Sequence, residues 1–86
     1  MAKKVDNSKG FLVIEVPAAE LFAKVGGYGI CDLCNTPAEK GYYIAVLNRW
    51  YCPGCYAKFC QRAKYHQEDA PIEKQNYEVY AKLFGL

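Results

Sequence analysis

Histidine is scarce in this 86-residue chain, long apolar runs are missing, and the cysteines do not pair off. The longest apolar run is Tyr42 to Leu47, six residues, against the ~20 that a membrane-spanning helix needs. No apolar stretch follows Lys3 and Lys4, so no secretory signal is read here. The chain is therefore expected to stay in the cytoplasm, where thiols are kept reduced. His66 is the only histidine, and no Ser/His/Asp set is apparent. The glycines of Gly26-Gly27-Tyr28-Gly29 lack the preceding strand and register of a phosphate-binding loop. No acidic pair with a cleft is apparent either, so the chain is expected not to be an enzyme. Five cysteines cannot all pair within one chain, which turns them from a disulfide framework toward metal or redox chemistry.

Apolar residues make up 52% and charged residues 23%, the balance of one small globular domain. So short a chain builds a thin core and commonly needs a staple. Residues 1–10 are polar and basic and read as a flexible lead, leaving 11–86 as a single domain. Phe11-Leu12-Val13-Ile14-Glu15-Val16 reads as a strand, closed by Pro17. Pro17 then opens a short helix carrying Leu21, Phe22 and Val25, and Gly26-Gly27 ends it. Tyr42 to Leu47 and Trp50-Tyr51 read as a hairpin turning at Asn48-Arg49. Pro53 starts a helix expected to reach Gln67, with Tyr56, Phe59, Cys60 and Ala63 at helical spacing. Pro71 opens a last helix over about 71–84, whose apolar face would be Ile72, Val79, Tyr80 and Leu83.

The strongest signal is Cys31-x2-Cys34-x17-Cys52-x2-Cys55. Two residues between thiolates let one tight turn aim both sulfurs at a single ion. Two such pairs complete the tetrahedron that Zn²⁺ accepts, and the gap lies in the range of paired zinc motifs. Four ligands close the shell, so one structural, non-catalytic zinc is expected. The formal charge of +2 then falls to about zero, because four thiolates around a divalent ion add about −2. Cys52-Pro53-Gly54-Cys55 at a helix start also has the form of a dithiol oxidoreductase site, its thiolate favoured by the helix dipole. That reading gives Cys31 and Cys34 no role. Cys60 lies about 140° around the helix from Cys55 and reads as a small core residue. His66 reads as a helix-end histidine complementing the dipole.

A knuckle, a β-hairpin, then a Cys pair in the first turn of a helix resembles a treble-clef zinc finger over about residues 30–66. The whole is then a small α+β, zinc-stapled domain, with an N-terminal strand and short helix before the treble clef and a C-terminal helix after it. The ligand spacing is that of the GATA-type finger, a resemblance that implies nucleic-acid binding. Thr36 to Lys40 stands where that type has a Trp with basic neighbours, and Gln67-Glu68-Asp69 where it has a basic tail. LIM-type modules share the layout and imply a protein partner. Gly29 to Asn35 and Tyr51 to Tyr56 also resemble the Gly-Ile-Cys-Asp-x-Cys-Asn and Tyr-Cys-Pro-x-Cys-Tyr of a small bacterial zinc-finger family.

Two functions follow. The first is a protein-interaction, adaptor or small regulatory module, motivated by near-neutral charge and eight tyrosines, side chains that suit interfaces. The second is a nucleic-acid-binding finger using Arg49, Lys58, Arg62 and Lys64 with Trp50. No membrane contact is expected.

Overall fold

The computed structural model describes residues 2–86. It is a small α+β fold built on one antiparallel sheet of four strands in the order β1-β2-β3-β4. In chain order these are β1 (Lys3–Val5), β2 (Val13–Pro17), α1 (Ala18–Val25), β3 (Lys40–Ile44), β4 (Arg49–Tyr51), α2 (Pro53–Arg62) and α3 (Ala70–Leu83), with a 3₁₀ turn over Gln67–Asp69 before α3.

Register sorts the side chains onto two faces. Ile14, Tyr43 and Trp50 stand side by side across β2, β3 and β4, and Glu15, Tyr42 and Tyr51 stand side by side on the other face; successive residues of a strand point to opposite sides. The first face carries the main core, where Ile14, Val16, Tyr43 and Trp50 meet Leu21 of α1 and Ala81 of α3. Tyr80 of α3 stacks on Tyr43 with ring centres 3.5 Å apart. The second face is covered by α2, whose Tyr56 stacks on Tyr42 at 4.3 Å. The sheet is thus a middle layer between helices.

Several elements differ from expectation, each for a local reason. Residues 1–10 are not a loose lead. Lys3–Val5 pairs antiparallel with Val13 to Glu15, and the Asn7 side chain accepts from the amides of Lys9 and Phe11. Gly10, at φ 89°, completes the reversal, since such backbone suits glycine. The polar composition belongs to a turn and to a short, lysine-bearing edge strand.

The strand expected over residues 42–47 ends at Ile44, because the amides of Leu47 and Asn48 turn back to Ile44 and Ala45 and Asn48 takes φ 55°. Helix α2 stops at Arg62, short of Gln67. Lys9 donates its ammonium to the carbonyls of Gln61 and Ala63 at 3.3 and 2.7 Å, occupying carbonyls that a helix end leaves open. Tyr65 then packs its ring edge-on against Phe11.

The last helix lies where the sequence puts it, and Tyr80 of its expected face packs inward, but the other three residues of that face do not. Ile72, Val79 and Leu83 are exposed. Glu73, Asn76, Tyr77, Tyr80, Ala81 and Phe84 face inward or are partly covered. Glu73 accepts the Leu12 amide at 2.9 Å, and Asn76 donates to the Ala45 carbonyl at 2.8 Å. These backbone groups lie outside the strand pairing, so polar side chains of α3 meet them. No helix among the described residues is long and apolar enough to cross a membrane.

Candidate metal centre

The two Cys-x-x-Cys segments reach the same point from different elements. Cys31 and Cys34 sit in a tight turn closed by the Asn35 amide on the Cys31 carbonyl at 2.9 Å and the Cys31 amide on the Thr36 carbonyl at 3.0 Å. Asn35 adopts φ 59°, a conformation Asn tolerates better than most residues. The Leu33 amide points at the Cys31 sulfur at 3.4 Å. Cys52 precedes α2 as its N-cap, Pro53 occupies the first helical position and Cys55 lies in the first turn.

Asp32 joins the two segments. Its carboxylate accepts the Trp50 amide at 2.8 Å, and its own amide donates to the Trp50 carbonyl at 3.0 Å. Residue composition gives no hint of this brace; its only signal is that Asp32 follows the first ligand cysteine.

The sulfurs of Cys31, Cys34, Cys52 and Cys55 all lie within 4.8 Å of one another, with Cys34 and Cys52 3.8 Å apart. Ligands about 2.3 Å from a tetrahedral zinc lie about 3.8 Å from each other, so the spacing fits an ion held between them. The electrostatics fit as well. Burial pushes the Cys31 thiol up, but the amides of Cys34, Cys52 and Leu33 outweigh it and bring it below its ordinary 9.0. The Thr36 hydroxyl and amide draw Cys34 down to about 6. Cys55 is pushed up, first by burial and then by the neighbouring sulfurs. Four sulfurs this close cannot all be thiolates unless a cation neutralises them. All four cysteines would hold the ion, and the full shell leaves it a structural part.

The convergence also gives Cys31 and Cys34 the place that a Cys52/Cys55 dithiol does not. Cys60 stands outside the cluster, half-buried, its sulfur 3.6 Å from the Asn7 side-chain amide. His66 is exposed ahead of the 3₁₀ turn and is not part of the cluster. Arg49, Lys58, Arg62 and Lys64 are all exposed, with Lys64 beyond the end of α2. Trp50 is not a surface residue. It is 3% exposed, and its indole N–H donates to the Val16 carbonyl at 3.2 Å, so its ring spans the core instead of offering a stacking platform.

Compared with family models, with curated proteins and with solved structures, the chain shows no significant match.

Proposed function

We propose that this chain is a non-catalytic, zinc-stapled module of treble-clef type whose task is to hold another protein. The order of a cysteine turn, the β3–β4 hairpin and a Cys pair opening α2 supports the treble-clef reading. An all-sulfur tetrahedral set favours zinc, with iron as its main competitor. Metal analysis of the purified protein should return one zinc per chain; iron, with its visible absorption, would replace that assignment. Free thiolates of this kind belong to a reducing compartment such as the cytoplasm.

The observation that carries the interaction reading is the apolar surface. Phe22 is 61% exposed, Tyr28 82%, Leu33 57%, Ile72 59% and Val79 57%. So many large apolar side chains on so small a domain mark surfaces that a partner covers. Aromatic anchors are also what protein interfaces favour.

The test is affinity capture from the protein's own cells with the zinc-loaded chain. Phe22→Ser/Tyr28→Ser and Ile72→Ser/Val79→Ser serve as paired variants. A protein retained by the wild type, lost from one pair and unaffected by nuclease is the expected result. Capture abolished by nuclease would overturn the reading in favour of the basic residues Arg49, Lys58, Arg62 and Lys64 acting on nucleic acid.

A further inference from the structure

A groove of about 230 Å³ runs beside the metal centre, lined by Leu33, Tyr51, Cys55, Lys58, Phe59, Arg62 and Ala63. Its walls come from the two cysteine segments. Leu33 lies between the ligands Cys31 and Cys34, while Lys58, Phe59 and Arg62 follow Cys55 along α2. The floor is apolar and the rim is positive. Lys58 and Arg62 are four residues apart, so they are neighbours on one helix face. Neither enters an ion pair among the described residues, and no acidic residue lines the groove. Cys55, at one end of the groove, belongs to the centre that carries about −2 when filled, so the positive rim is that of Lys58 and Arg62 farther along α2. These two cations over an apolar trough complement a ligand that carries carboxylates next to a large apolar side chain.

The ring geometry separates two kinds of polyanion. A nucleobase needs a free aromatic face. The Phe59 ring already meets Phe11 at 4.9 Å, Tyr51 at 6.5 Å and Tyr56 at 6.4 Å. Tyr51 meets it edge-on, at 81°. Such a floor accepts an aliphatic or aromatic side chain into a hollow better than a base onto a platform.

We infer that this groove takes an acidic segment of a partner protein, anchored by one leucine or phenylalanine, with its carboxylates on Lys58 and Arg62. The assignment rests on the interaction reading above and gives it a site and a ligand chemistry.

The experiment titrates ¹⁵N-labelled, zinc-loaded full chain with a dodecapeptide of Glu and Asp around one Leu and one Phe. Its lysine-for-acid counterpart and a thymidine dodecanucleotide are run beside it. Amide shifts centred on Leu33, Tyr51, Lys58, Phe59 and Arg62 are expected with the acidic peptide. Arg62→Gln and Leu33→Ser should each weaken binding about tenfold, the scale of a lost charge pair or anchor. Both residues are exposed, so both variants keep the fold. Lys64→Gln, which removes a nearby charge outside the groove, should change affinity less than about twofold.

Equal loss from Lys64→Gln and Arg62→Gln would reduce the effect to net charge and overturn the groove. Tighter binding of the oligonucleotide, or no binding of the acidic peptide up to about 1 mM, would overturn it too. Shifts confined to Ile72, Val79 and Leu83 would retire the groove while leaving the interaction reading intact.

Discussion

The two faces of the sheet are held by different means. On the α3 side, Ile14, Val16, Tyr43 and Trp50 are all at most 3% exposed and interlock with Leu21, Ala81 and the stacked Tyr80. On the α2 side, Glu15, Tyr42 and Tyr51 are only partly covered, and α2 itself contributes one buried residue, Cys55. The first face is an ordinary hydrophobic core. The second is buried at one end, where Val13 and Ile44 are fully covered and Phe11 packs on Phe59, and only partly covered at the other, where the sulfur cluster stands at the foot of α2. Four cysteines that a metal could join therefore stand at the less covered end of that face, where a bound ion would add most to stability.

Metal removal should break this comparison most forcefully. Structural zinc sites contribute about 10–16 kcal/mol in isolated fingers, more than a domain of this size has in reserve. A strong chelator, or Cys52→Ser, should unfold residues 31–66, read as a loss of helical circular dichroism. Amide exchange gives the finer reading. Helix α2 should lose protection before the paired amides of β2 and β3. Simultaneous loss on both faces would mean that the metal and the core form one cooperative unit, and unchanged circular dichroism would sink the structural role altogether.

With the metal site filled, single truncations compare the faces directly. Trp50→Ala removes a buried ring and its bond to Val16, which should cost about 3–5 kcal/mol. Tyr56→Ala removes a half-buried ring stacked on Tyr42 and a hydroxyl 3.0 Å from the Asn7 amide, and should cost about 1–2 kcal/mol. Urea midpoints measure both, and similar values would erase the contrast. Between these falls Glu73→Leu, which leaves the Leu12 amide and the Tyr65 hydroxyl without their acceptor, at about 1–3 kcal/mol. Glu73→Gln, which keeps an acceptor, should recover most of that.

What was legible in the sequence follows the same division. The convergence of Cys31, Cys34, Cys52 and Cys55 could be read because the spacing puts two thiols in each tight turn. The hairpin and three helices could be read from Pro, Gly and apolar periodicity. The inward face of α3 could not. Pattern reading assigns apolar residues to the core, but here Glu73 and Asn76 turn inward to meet backbone groups at the sheet end, leaving Ile72, Val79 and Leu83 outside. Trp50, read together with the basic surface residues, differs for a related reason. Its ring packs over Gly41, two residues along β3 from its partner Tyr43, where an added Cβ would lie 2.5 Å from the indole. Residues 1–10 show the third kind of miss: Lys3–Val5 pairs with β2 through its backbone, which composition does not record.

The smallest effect probes the polar edge of the α2 face. Glu15 lies between Lys40 at 2.8 Å and Lys3 at 3.6 Å. The Lys40 hydrogen bond, partly offset by burial and assisted by the charges of both lysines, holds its carboxyl below the ordinary 4.5. A carboxyl that ionises more readily when folded favours the folded state above its unfolded pKa and stops doing so as pH falls through the folded value. Glu15→Gln should therefore cost under about 1 kcal/mol at neutral pH, as partly exposed ion pairs do. The gap between wild type and variant should hold above pH 4.5 and close below it. Metal content is followed over the same range, and the gap is read only at pH values where both proteins keep the ion, because its loss would also remove the Lys40 partner. A gap that persisted at low pH would mean that Glu15 acts by packing, and the α2 face would then be drier than its charges suggest.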